Sequence, residues 1–441
     1  MSAFNLMAIV LVITAIFAVI NDRFIKLHRT IGVMLIALVF SLCILLAKYL
    51  GLIEHDWVTP LVMQVDFSDT LIQGMLGALL FAGSMNIEFK DLKPRLIPIT
   101  VLAICGVLIS TLLVGYGMYY AIHLLSSVEL PLMYCFAFAA LISPTDPIAV
   151  LAILRSIGVS KGLDMDVCGE SLFNDGIGLV VFTFFFSLAV NAETMSFAEV
   201  SLFFARNVFG GIALGAVAGV GAYLLMRMTR DYHIEIMLTL ALVFGTFQFA
   251  EWIEVSAAIA VVIVGIVFGH LCYKGMTHKA LESMYTFWEV VDEVLNSTLF
   301  VMIGILLLVI PMDSHRLLLG IFAIIVVLFG RWISVLIPVA LLSRRYFFSP
   351  RSVRILTWGG LRGGLSIALA LTLPNSAYRE TILLMTYAVV VFSIIIQGTT
   401  IPWVAGNRTT IGDEYDDPLL DDNNPNTRSH VGKRSEKLES E

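Results

Sequence analysis

Leu141-Ile142-Ser143-Pro144-Thr145-Asp146-Pro147 interrupts one long apolar run of this sequence, and Gly169-Glu170-Ser171-Leu172-Phe173-Asn174-Asp175-Gly176 opens the next. Carboxylates at bilayer depth are costly, and those that occur face a bundle interior or a water-filled path. Asp146, Glu170 and Asp175, with Ser, Thr and Asn between them, form an oxygen-rich set suited to a small hard cation or a proton. The combination implies ion transport through an all-α bundle.

Composition agrees. The 441 residues are 59% hydrophobic and 14% charged, with a mean hydropathy of +0.91, whereas a water-soluble domain carries about 25% charged residues. The bilayer is therefore the solvent of this chain. Cys43, Cys105, Cys135, Cys168 and Cys272 fall in or beside apolar segments. They have neither metal-ligand nor disulfide spacing and read as packing residues. Apolar runs occur at about 4–20, 31–50, 70–87, 96–124, 131–154, 167–190, 201–226, 234–251, 255–272, 294–311, 316–342, 354–374 and 381–404. They predict about 13 transmembrane helices, each near the roughly 20 residues that a bilayer requires. Residues 274–290 read as an amphipathic interfacial linker.

Of the 27 Lys and Arg residues, 16 fall in odd-numbered loops, five in the tail after 405 and three (Lys48, Arg316, Arg379) on the even side. The even loops carry Glu54, Asp56, Asp66, Asp69, Glu129, Glu193 and Glu199 instead. The positive-inside rule places the odd loops and the C-terminus in the cytoplasm, with the N-terminus outside. Positive charge follows the first apolar run (Arg23, Lys26, Arg29) and does not precede it, so that run reads as a retained helix. Three arginines remain inside predicted spans. Arg206 lies near a helix end and can snorkel to the interface, while Arg331 and Arg362 lie deeper.

Pro147 suits the first position of a helix, and Asp146 before it is a good N-cap. The fifth span is thus expected to break near Pro144 and restart at Pro147. Two readings of Asp146 stand side by side: it caps the second half-helix, or it binds the ion directly. Trp358-Gly359-Gly360-Leu361-Arg362-Gly363-Gly364 predicts a matching break in the twelfth span, with Arg362 offsetting the exposed carbonyl ends of both half-helices. Breaks at corresponding positions of two six-helix halves are what inverted-repeat transporters show. In the sixth span Glu170 and Asn174 share a helix face, as do Ser171 and Asp175. Asp175 can hold a proton or a cation but not both, and such competition suffices for exchange. Glu170 is expected to form a structural ion pair with Arg331, since a buried acid needs a partner. Ser84 and Asn86 face the cavity or serve ordinary interhelical hydrogen bonding.

With these motifs the sequence resembles the monovalent cation:proton antiporter-1 family, bacterial relatives of sodium/proton exchangers. Ser143–Pro147, Gly169–Gly176 and Gly359–Gly363 carry the resemblance, which runs over most of 1–405. It implies an electroneutral antiporter of the plasma (bacterial inner) membrane that serves pH homeostasis, exchanging one Na+ (or Li+) for one H+ by alternating access. It further implies a homodimer in contact with lipid. The transmembrane domain would span 1–405, with a mobile core at about 96–190 and 316–404 and the remainder a dimerisation scaffold. Residues 406–441 would be a short disordered cytoplasmic tail. By resemblance Asp175 is the transport carboxylate and holds Na+ together with Ser171 and Thr145, while Asn174 supports the site. Some relatives add an acid on the third helix, where this sequence has Ala82-Gly83-Ser84-Met85-Asn86. The reading calls for no cofactor, no catalytic chemistry and no nucleic acid. The alternatives are a K+/H+ antiporter, a sodium-coupled solute symporter, or an intramembrane aspartyl protease built on Asp146 and Asp175.

Overall fold

The computed structural model describes residues 3–51, 75–125, 130–191, 196–229, 231–275, 278–308, 310, 314–349 and 351–406. The loop acids Glu54, Asp56, Asp66, Asp69, Glu129 and Glu193, and the expected tail from 407 on, lie outside them. The described residues form helices, with no extended structure except one isolated bridge between Asp146 and Leu361. Eight helical stretches among them are long and apolar enough to cross a membrane on their own. In such surroundings the helix is favoured because it pairs its backbone internally.

In chain order the helices are α1 (Ala3–Ile20), α2 (Arg29–Tyr49), α3 (Gly77–Met85), α4 (Phe89–Leu125), α5 (Leu132–Ile142), α6 (Ile148–Ile157), α7 (Lys161–Asn191), α8 (Phe197–Met226), α9 (Tyr232–Trp252), α10 (Ala257–Gly275), α11 (His278–Leu306), α12 (Ser314–Leu342), α13 (Ser352–Trp358), α14 (Gly364–Leu371), α15 (Ala377–Phe392) and α16 (Gly398–Ala405). A π turn over Ser393–Gln397 joins the last two. The expected fifth span is the broken pair α5–α6, and the twelfth is the broken pair α13–α14. The restart after the first break comes one residue later than expected, with Pro147 in the cap position and Ile148 opening α6.

Packing sorts the helices into two groups. α4 lies against α5, α7 and α12; α12 also contacts α13 and α15, and α14 packs on α5 and α15. The other group has α10 against α3, α8 and α9, and α11 against α1, α2 and α3. Lateral contacts of α7 with α10 and of α11 with α14 join the groups.

Two sequence expectations are corrected here. Residues 278–290 are no interfacial linker: they form the first half of α11, and Trp288 is fully buried, donating its indole N–H to Thr239 Oγ1 at 3.0 Å. Arg95, counted above as a loop residue, is buried inside α4. It pairs bidentately with buried Asp166 at the start of α7, donates to Phe347 O at 3.0 Å and stacks 5.0 Å from the Phe348 ring. Arg206 behaves as a surface residue and pairs with Glu254 at 2.9 Å.

A buried pair that loses one partner leaves a desolvated charge behind. Arg95→Met or Asp166→Asn alone should therefore cost on the order of 3–5 kcal/mol, read as a lower unfolding temperature of the detergent-solubilised protein. The double variant should recover part of the loss, and equal stability of the wild type and both singles would show that the pair contributes nothing.

Candidate functional site

The two breaks cross. Between α5 and α6 the chain is unwound over 143–147, and between α13 and α14 over 359–363. Asp146 N–H donates to Leu361 O at 2.7 Å, which locks the strands of the crossing together. Backbone approach is close enough that a Cβ placed on Gly363 would lie 2.6 Å from Asp146 Oδ2, and one on Gly360 2.7 Å from Arg331 Nε. A side chain at either position would have to displace Asp146 or Arg331 from its place at the crossing.

Side chains meet three of the four helix ends that the breaks leave. Asp146 Oδ1 accepts from Ile148 N–H at 3.1 Å, in the manner of an N-cap on α6. Arg362 is 2% exposed. It donates from Nη1 to Pro144 O at 2.9 Å and also to Ser143 O, covering the carbonyl end of α5. The carbonyl end of α13 is reached by other side chains, not by Arg362: Arg331 donates to Leu356 O at 3.0 Å from Nη2, and Gln397 donates to Trp358 O at 3.1 Å. Arg331 is in turn held by Glu170 in a bidentate buried pair, with Nη2 to Oε2 at 2.9 Å and a second bond from Nη1 to Oε1.

Thr145 is fixed by α7. Its N–H donates to Asn174 Oδ1 at 3.2 Å, its hydroxyl oxygen accepts from Asn174 Nδ2 at 2.9 Å, and Ser171 Oγ donates to Thr145 O. Ser143 is anchored to α4 through a 3.0 Å bond from its hydroxyl to Ser110.

Thr145, Asp146 and Asp175 lie together on the wall of a cavity of about 480 Å³. Ser171 lies one turn below Asp175 and lines a separate small void with Glu170 and Arg331. The structure thus brings Asp175, Asp146 and Thr145 to one surface, with Ser171 and Asn174 behind Thr145. Among the described residues, none donates a hydrogen bond to the Asp175 carboxylate. The cavity reaches His28, Arg29, Arg155 and Asp164, so it opens at the end of the bundle that carries the connections α1–α2 and α6–α7. There Arg29 pairs with Glu293, and Arg155 with Asp164 at 3.0 Å. Burial, aided by the Arg29 charge and opposed by that of Glu293, holds the His28 imidazole below its usual pKa. Asn86 lines this mouth, whereas Ser84 is buried and bonded to Phe81 O.

Sequence reasoning missed the opposite wall. Glu289, Asp292, Glu293 and Asn296 of α11 also line the cavity. Their spacing along one helix face was the available signal. The apolar run that opens at 294 and the linker reading of 274–290 divide this face, with Glu289 in the linker, Asp292 and Glu293 between the two and Asn296 in the span.

Residues 6–406 match the family described as sodium/hydrogen exchanger, transmembrane. The chain is 41% identical over 405 residues to the Na(+)/H(+) antiporter NhaP of Pseudomonas aeruginosa, covering 90% of this chain and 95% of that protein. It is 35% identical over 341 residues to the Na(+)/H(+) antiporter NhaH of Halobacillus dabanensis, covering 76% and 82%. Its fold is similar to that of the sodium proton antiporter MjNhaP1 of Methanocaldococcus jannaschii, with a TM-score of 0.73 at 17% identity over 91% of this chain and 97% of that one.

Neutralising Glu170 or Arg331 singly strands the other charge, at an expected cost on the order of 3–5 kcal/mol. Glu170→Gln combined with Arg331→Gln should regain much of it in a thermal-unfolding series. A double variant as unstable as the two singles summed would mean the pair is not a unit.

Proposed function

The chain belongs to the sodium/hydrogen exchanger family, and on that premise we propose that it is a secondary antiporter exchanging Na+ for H+, one for one and without net charge movement. The observation that carries the proposal is the grouping of Asp175, Asp146 and Thr145 on the cavity wall beside the crossing of two broken helices. Half-helix ends and unwound carbonyls beside a carboxylate are the usual materials of a midplane ion site.

In this reading the Asp175 carboxylate takes either the cation or the proton. Thr145 supplies further oxygens, and Ser171, on the same helix face as Asp175, completes the set. Asn174 holds Thr145 in place, and Asp146 and Arg362 compensate the half-helix ends. Glu170 and Arg331 are structural. The thirteen crossings form two inverted six-helix repeats. The helices over about 96–190 and 316–404 move as a core against a dimerisation scaffold formed by the remainder of 1–405, in a homodimer. The protein lies in the plasma membrane, with the N-terminus outside and the C-terminus cytoplasmic. Odd loops line the cavity mouth, so the conformation described is the inward-open one. Lithium is the nearest substitute for sodium.

Asp175→Asn should abolish exchange in proteoliposomes while folding and insertion persist, because removing a buried charge also removes its desolvation cost. Full transport by a well-expressed Asp175→Asn protein would sink the mechanism.

Competition sets the pH dependence. A protonated Asp175 is closed to sodium, so apparent sodium affinity should weaken as pH falls, while maximal turnover survives at saturating sodium. An imposed potential should leave the rate unchanged. Any unbalanced charge would feel about 2.3 kcal/mol per 100 mV, so a clear response to voltage would overturn one-for-one stoichiometry.

A further inference from the structure

We propose that Asp292, held by Asn296 on α11, is a second cation-attracting carboxylate of the pathway: a loading station for a monovalent cation on the wall opposite Asp175, between the cavity mouth and the transport site. The inference rests on the antiport reading of that cavity.

The pair is built in a particular way. Asn296 is 2% exposed yet lines the cavity. Its amide nitrogen is committed to Asp292, donating to Oδ1 at 3.0 Å and to the Asp292 carbonyl at 2.9 Å. That fixes the Asp292 side chain and leaves the amide oxygen of Asn296, which accepts from no described residue, as its free polar group. One carboxylate oxygen and one amide oxygen, one helical turn apart, make a partial oxygen shell for a hard cation that keeps some of its water. A site of that kind is weak, as a transit site must be if the ion is to leave it.

Asp292 also differs from its acidic neighbours. Glu293 is neutralised by Arg29 at the mouth, and Glu289 is exposed. Among the described residues, no basic side chain pairs with Asp292. It sits on the same cavity as Asp146 and Asp175, near enough to Asp146 for the two charges to repel. A cation between the walls relieves that repulsion, so the gap is electrostatically incomplete without one. Carboxylates that line a low-dielectric cleft also raise the local cation concentration.

The two acids sit on different helix groups. α11 packs on α1, α2 and α3, whereas Asp146 and Asp175 belong to the α4–α7 group. If the groups shift relative to each other, Asp292 stays behind when Asp175 carries its cation away. Its contribution is therefore confined to loading from the side where this cavity opens.

Proteoliposomes of fixed orientation test this with sodium as the probe. With sodium supplied at the cavity side, Asp292→Asn should raise the KM by about tenfold, the low end of the enrichment that charged clefts produce, with maximal rate unchanged. Asp292→Glu should restore most of the affinity. With sodium supplied from the opposite side, KM should stay at the wild-type value. An unchanged cavity-side KM in Asp292→Asn, a loss confined to maximal rate, or an equal KM change from both sides would overturn the proposal. Wild-type protein in the same vesicles separates the two levels: absence of its sodium/proton exchange would refute the antiport reading, whereas normal wild-type exchange with an unaffected Asp292→Asn would refute only the loading station.

Discussion

Two unwound stretches that cross inside an apolar bundle set the terms for the rest of this structure. At membrane depth no solvent takes up the broken backbone, so each half-helix end must find a partner in the protein. Here the strands take up part of it themselves, through the Asp146–Leu361 bond. Four side chains meet three of the four ends: Asp146 the α6 amide end, Arg362 the α5 carbonyls, and Arg331 with Gln397 the α13 carbonyls, while Gly363 precedes α14 without a side-chain cap. Each of these side chains carries charge or dipole of the sign opposite to the end it meets. The glycines at 360 and 363 follow from the same constraint, because side chains there would collide with Arg331 and Asp146.

Two acids five residues apart on α7 show how the crossing separates structural from open charge. Glu170 faces inward, where Arg331 satisfies both of its oxygens. Because Arg331 also carries Leu356 O, the pair ties α7 to α12 and to the end of α13. Asp175, further along the helix, faces the cavity and takes no hydrogen bond from a described residue. A carboxylate without internal donors exchanges ligands readily, whereas one clamped by a guanidinium does not. Their division of labour follows from helical rotation: five residues turn the side chain through well over one full revolution, onto a different set of neighbours.

Much of this was legible in the sequence, and for physical reasons. Proline beside aspartate, and four glycines around one arginine, are local signatures of broken helices, so both breaks could be placed from composition alone. Subtracting loop arginines isolated Arg331 and Arg362 because basic residues avoid membrane depth. What stayed hidden depended on three-dimensional neighbours. Arg95 sits where a loop charge belongs by hydropathy, and only folding brings Asp166, Phe347 and Phe348 around it. Gln397 lies in a stretch with nothing to mark it, and its role exists only because a π turn brings its amide to Trp358 O. Trp288 falls in the polar stretch 274–290, and polarity beside an apolar run is indistinguishable from an interfacial linker when read without its neighbours; Asp292 falls between that stretch and the apolar run at 294, and only the fold sets it on a cavity wall.

The same bonds bear on how such a bundle can move. Every hydrogen bond described at the crossing stays within the set formed by α4–α7, α12–α16 and the connections between them. Where the two helix groups meet, the close contacts are instead apolar and involve small residues: Gly176 of α7 against Ile259 of α10, and Gly364 of α14 against Leu299 of α11. Shifting one group past the other would leave the crossing whole and disturb contacts that have little directionality. The carboxylates of the cavity divide along the same line, Asp146 and Asp175 on one wall and Asp292 on the other. A displacement between the groups would therefore change the distance between the carboxylate-bearing walls, while the polar core that positions Asp175 stays intact.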